Sequence, residues 1–148
     1  MAFHFPLESI LRLRRGQERV ERLKLEAIAS EQAHIKNQLE NVTQQFFESR
    51  RRFQEQLVDE KLGVELQFED ARSDRVAAAR RALELCLAEL EQGRIKQTEV
   101  YRKAHQSREL LENLRGRKFD VYRQMLSRLE QQELDDLFLM RKGLSRDE

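Results

Sequence analysis

The 148-residue chain is poor in the residues that bend, staple or pleat a polypeptide. One proline and five glycines leave room for a single real reversal, not for a chain of short elements. The lone Cys86 has no partner within the chain, which excludes an internal disulfide and fits a reducing compartment. Valine, isoleucine and threonine together number 13, too few for a β architecture. No run of 15 or more apolar residues exists, because Pro6 and charges interrupt the apolar start. The sequence therefore predicts neither a signal peptide nor a membrane span.

What is abundant is charge and helix-forming side chains. Lys and Arg number 28 against 27 Asp and Glu, and the 37% charged content is well above the roughly 25% of ordinary domains. Ala, Glu, Lys, Leu and Arg make up 81 of the 148 residues, the mark of long helices or coiled coils when apolar residues repeat by heptads. A net charge of +1 argues against nucleic acid as the principal ligand, since phosphate binding needs a positive field.

The periodicity predicts an all-α fold of two long helices in an antiparallel coiled-coil hairpin, the second longer, as one unit over residues 1–148. Pro6 suits a first helical turn, so helix one is placed at about 6–60. Ile28, Ile35, Leu39, Val42, Phe46 and Phe53 advance in steps of 3, 4 and 7 and form its seam. Upstream, Leu13, Val20, Leu23 and Ala27 continue that seam with an offset of one residue. Gly63 is the candidate left-handed residue of a turn at about 61–65. Helix two follows at about 66–142. Its seam runs through Val76, Leu83, Leu90, Ala104 and Leu111, with Ala79, Cys86, Gly93, Val100, Leu114 and Val121 three residues after successive heptad positions. Gln97, Ser107 and Lys118 are polar seats of the kind that set register. The small ladder Ala79, Cys86 and Gly93 is expected to receive bulky side chains of helix one at close approach.

Helix two outruns helix one by roughly twenty residues on this reading, at ~1.5 Å per residue. The overhang carries Met125, Leu126, Leu129, Leu134, Leu137, Phe138, Leu139 and Met140, an apolar surface that calls for a partner. A two-helix rod offers no concavity for catalysis, and His4, His34 and His105 have no metal-ligand spacing. The sequence thus predicts no enzyme, no catalytic residue, no metal and no cofactor. Between Arg94 and Arg128, ten basic residues face four acids. This run is either an ordinary solvated face or a docking surface for an acidic partner. Phe46 and Phe47 point about 100° apart, which puts Phe46 in the seam and Phe47 on the flank, as edge packing or as a partner contact.

Two terminal patterns add a family resemblance. The opening Phe3, Phe5, Leu7, Ile10, Leu11, Leu13 and Arg14, arranged F-x-F-x-L-x-x-I-L-x-L-R, resembles the start of many members of the FliJ family of flagellar export proteins. Glu130, Glu133, Leu134, Asp135, Asp136 and Arg141 resemble its closing pattern, with Asp136 where that pattern has Glu. The resemblance implies a non-enzymatic stalk and adaptor of the type III flagellar export apparatus, serving motility and chemotaxis. It further implies a cytoplasmic location, peripheral to the inner membrane at the flagellar base. Phe5, Leu7, Ile10, Leu11, Leu134, Asp135, Asp136, Leu137 and Arg141 would then belong to the end that enters the hexameric export ATPase. Gln38, Val42, Phe46 and Phe47 would face the cytoplasmic domain of the export gate, and export chaperones are implied partners. The equivalent stalk of a virulence secretion system and a basic coiled coil binding nucleic acid are the alternatives.

Overall fold

The computed structural model describes residues 2–58 and 63–144. Within them lie two helices and no strand: α1, Glu8–Val58, and α2, Gly63–Leu144. The fold class read from composition and periodicity is therefore the observed one, with 51 residues in α1 and 82 in α2. Pro6 stands in the turn just before α1, where the Glu8 amide bonds to the Phe5 carbonyl at 3.1 Å and Leu11 opens the helical ladder on Leu7. The expected turn lies partly outside the described residues. Its other part is corrected: Gly63 is the first residue of α2 and its φ is not in the left-handed region, so 63–65 continue a helix.

The chain groups into two compact units. One pairs the start of α1, through Glu18, with α2 from Lys103 onward; the other runs from Arg19 to Arg102. In each, α1 and α2 run antiparallel. In the first, Glu8 bonds Arg115 and Arg15 bonds Glu112; in the second, Glu21 bonds Gln97 and Gln32 bonds Glu91.

The downstream seam of α1 is as read, with Ile28, Ile35, Leu39, Val42, Phe46 and Phe53 all half-buried. The upstream reading is overturned. Leu13, Val20 and Leu23 are 61%, 49% and 52% exposed, while Leu7, Leu11, Glu18, Glu21, Leu25 and Gln32 are half-buried or buried. These positions keep the 4-and-3 spacing of the downstream seam without any offset. The helix does not slip; the seam simply takes polar occupants, each answered from α2.

On α2 the heptad seats Val76, Leu83, Leu90, Gln97, Ala104 and Leu111 are half-buried as read. Of the companions three residues on, Cys86 and Gly93 are half-buried as read, while Ala79, Val100, Leu114 and Val121 are exposed. Four residues on, Arg80, Leu87, Tyr101, Arg108, Arg115 and Tyr122 are half-buried instead. Of the small-residue ladder, Cys86 and Gly93 are half-buried, but Ala79 faces solvent and a Cβ added at Gly93 meets nothing within 4 Å, so no close approach is made at Gly93.

Candidate functional site

The unit that begins the chain is anchored by aromatic and ionic contacts. Phe5 is 3% exposed and Leu11 fully buried, the two apolar side chains most completely removed from water among the described residues. Phe3 packs edge-on against Phe119, ring centroids 5.2 Å apart, and lies 5.5 Å from Tyr122. The Lys118 ammonium stands 6.0 Å over the Phe5 ring, a cation–π contact. Arg115 reaches Glu8 at 3.0 Å and Arg15 reaches Glu112 at 2.6 Å. The segment before α1 thus seats on residues 118–122 of α2, and the first turns of α1 on Glu112 and Arg115.

Glu18 closes this set. Its carboxylate accepts a hydrogen bond from the His105 Nδ1 at 2.7 Å and a charge-assisted one from the Arg108 guanidinium. Arg108 holds the Glu18 carboxyl below the ordinary carboxylate range against the opposing effect of burial, with His105 adding to the lowering. In the other unit, Glu91 accepts from Arg94 and from Gln32 Nε2, which together bring it down to about 2. Glu21 is lowered first by Gln97 and then by Lys24. The polar seats are therefore occupied by satisfied groups, and among the described residues no buried side-chain polar atom lacks a partner.

Beyond Leu126 the character of α2 changes, and every residue from Ser127 to Gly143 is exposed. Leu134, Leu137, Phe138, Leu139 and Met140 are each between 61% and 67% exposed. Successive residues on a helix turn by about 100°, so these five side chains point in all directions around the axis. A helix that is apolar all round is one that becomes enclosed. Glu133, Asp135 and Asp136 sit among them and Arg141 follows, while Lys142 leans over the Phe138 ring at 6.0 Å.

These positions sort the residues read as ATPase-facing. Ile10, at 44% exposed, and Leu134, Asp135, Asp136, Leu137 and Arg141 are accessible, whereas Leu7 is half-buried. Phe5 and Leu11 are turned inward. Of the second set, Gln38 and Phe47 are exposed and Val42 and Phe46 half-buried. The Phe46 and Phe47 rings meet edge-on at 5.9 Å. Beside them a groove of about 260 Å³ is lined by Phe46, Ser49, Arg50 and Phe53 of α1 and by Glu69, Asp70 and Ser73 of α2. Sequence reasoning missed this groove because its α2 wall is polar and lies where the apolar pattern is weakest.

A family model described as "Flagellar FliJ protein" matches residues 3–146. The chain belongs to the FliJ family. Membership makes it a stalk-type component of flagellar export, in a family that is in general structural or adaptor in role and not enzymatic. No curated protein and no solved structure matches the chain. No described helix is long and apolar enough to cross a membrane, and no cluster of metal-ligating side chains occurs among the described residues. Of the ten basic side chains from Arg94 to Arg128, Arg94, Arg102, Arg108 and Arg115 are engaged by Glu91, Glu99, Glu18 and Glu8.

Proposed function

We propose that this FliJ-family chain works as a single two-helix stalk whose free α2 end enters the central hole of the hexameric flagellar export ATPase. The observation that carries this reading is the exposed run from Ser127 to Gly143, apolar around its whole circumference near the tip. A flat partner covers one side of such a helix and leaves the rest wet. A surrounding partner covers every side, and burying one large apolar side chain is worth about 1.5–3 kcal/mol. In this reading Leu134 and Leu137 make apolar contact, Asp135, Asp136 and Arg141 fix orientation, and Ile10 offers a separate accessible side chain on α1. Phe5, Leu7 and Leu11 act by holding the start of the chain on α2.

The exposed Phe47, with Gln38 and Val42 on the same helix and the groove beside Phe46, supports a second contact with the export gate's cytoplasmic domain. Export chaperones are the remaining proposed partners. The protein would act in the cytoplasm, at the inner membrane of the flagellar base, without inserting into it. The flagellar family match favours this system over the virulence counterpart. The engagement of Arg94, Arg102, Arg108 and Arg115 by acids weakens the nucleic-acid reading.

The test is co-sedimentation with the purified hexameric ATPase, and export and swimming in cells carrying the variants. Leu134→Asp with Leu137→Asp should abolish the complex and export while helicity is unchanged. Normal complex formation and swimming by that variant would overturn the proposal.

A further inference from the structure

We propose that one flank of α2, in the unit that begins the chain, is a docking surface for an acidic amphipathic helix of another protein. The proposal does not rest on ring entry, since its residues lie before the apolar tip. Leu110, Leu114, Arg117, Val121, Met125 and Arg128 advance in steps of 4, 3, 4, 4 and 3, the spacing of a seam laid against a helix. At about 100° per residue they fall within one arc of about 80°. This is not the seam that meets α1, which Arg108, Leu111, Arg115 and Tyr122 form about 100° further round. Leu110, Val121 and Met125 are 71%, 57% and 59% exposed, so α1 leaves the second seam uncovered. Where it meets the segment before α1, Phe3 and Pro6 stand beside Val121, Tyr122 and Met125 and enclose an open groove of about 340 Å³, which Arg117 and Lys118 also line.

Charge selects the occupant. Lys103, Arg117 and Arg128 share the arc, and no ion pair among the described residues engages any of them. The acids of this stretch of α2, Glu109, Glu112, Asp120 and Glu130, all lie at least about 100° from the centre of the arc. Between residues 2 and 18 the only acids are Glu8 and Glu18, and Arg115 and Arg108 hold both. The flank is thus basic with apolar side chains between the cations. Its complement is a helix whose apolar residues repeat by threes and fours between Asp and Glu. Phosphates of a nucleic acid would meet the cations and leave Leu110, Leu114, Val121 and Met125 in water. A bilayer surface is flat and does not fill a groove walled by Phe3 and Pro6. The seam from Leu110 to Arg128 is ~27 Å long at 1.5 Å per residue, so about five turns of partner helix cover it.

Fluorescence anisotropy on the full chain tests this with a labelled synthetic helix of about 21 residues, Leu at heptad positions a and d and Glu at e and g. The expected result is a Kd at or below ~100 µM in low salt, weakening as salt rises. The same peptide with Lys in place of Glu should not bind, nor should a scrambled peptide of the acidic composition. Arg117→Glu with Arg128→Glu should weaken the acidic peptide by at least ~10-fold and admit the basic one. Leu114→Ser with Val121→Ser should weaken it with the charge untouched. These four side chains are exposed, and circular dichroism should be unchanged in both variants. Leu134→Asp with Leu137→Asp, which tests ring entry, should bind the peptide as the parent does, so the two readings fail separately. The proposal is overturned if the acidic peptide does not bind at that concentration, if the basic or scrambled peptide binds equally, or if both seam variants bind unchanged. Loss of binding in the tip variant overturns it too, as does preference for phosphatidylserine vesicles or an oligonucleotide over the peptide.

Discussion

Leu11 and Leu13 stand two residues apart on α1, the first fully buried and the second 61% exposed. Leu11→Ala should cost about 2–4 kcal/mol through lost burial and an unfilled cavity. Leu13→Ala should change stability by less than about 0.5 kcal/mol. Urea titrations of the two variants check the contrast. An apolar side chain at helical spacing was not enough to tell them apart from sequence. The reading followed Leu13, Val20 and Leu23 because they are apolar. The packed line instead passes through Glu18 and Glu21, and only the unbroken 4-and-3 spacing from Leu7 to Ile28 signals it.

The same acidic seats set the pH response. Glu18, Glu21 and Glu91 each titrate below their ordinary 4.5 when folded, Glu91 at about 2. Between these limits the unfolded chain binds protons that the folded chain refuses, so stability is present above about pH 4.5 and is lost as pH falls toward 2. Thermal melts should be flat from pH 7 to about 5 and then decline. Glu18→Gln with Glu91→Gln should lower the neutral-pH plateau and flatten the acid limb. An unchanged acid limb would show that these carboxylates do not govern it.

At the scale of the helices, α2 tests how its companion seats are assigned. Gly93 was read as a small residue making room for α1, yet a Cβ there meets open space. Gly93→Ala should therefore stabilise the protein by about 0.5–1 kcal/mol by removing an interior helix glycine. A close approach would make the same change destabilising, and a melting curve decides the sign. The spans of both helices were legible because Ile28 through Phe53 and Val76 through Leu111 repeat strictly by heptads. Phe46 in the seam and Phe47 outside followed from their angle alone. Most companion seats on α2, Cys86 and Gly93 apart, were not legible. Arg108 and Arg115 look like surface residues in sequence, and they occupy the half-buried side because their guanidinium heads are paired there with Glu18 and Glu8 of α1.

At the scale of the whole molecule, polar seam groups are satisfied by partners, as with Gln32 and Glu91, and exposed apolar side chains are scattered along both helices, as at Phe68 and Leu110, but crowd together from 134 to 140 on α2. That crowding was legible in the sequence as an overhang, since helix two outran helix one on the periodicity. What sequence alone did not disclose is that Phe5 and Leu11 face inward. The central claim is that a partner encloses the α2 tip on every side. A photoreactive residue placed in turn at positions 134, 137, 138, 139 and 140 tests it most directly when each variant is irradiated with the purified ATPase hexamer. The account predicts adducts from all five positions, mapping to the segments that line the central hole. Adducts from one side of the helix only, or none from any position, would contradict it.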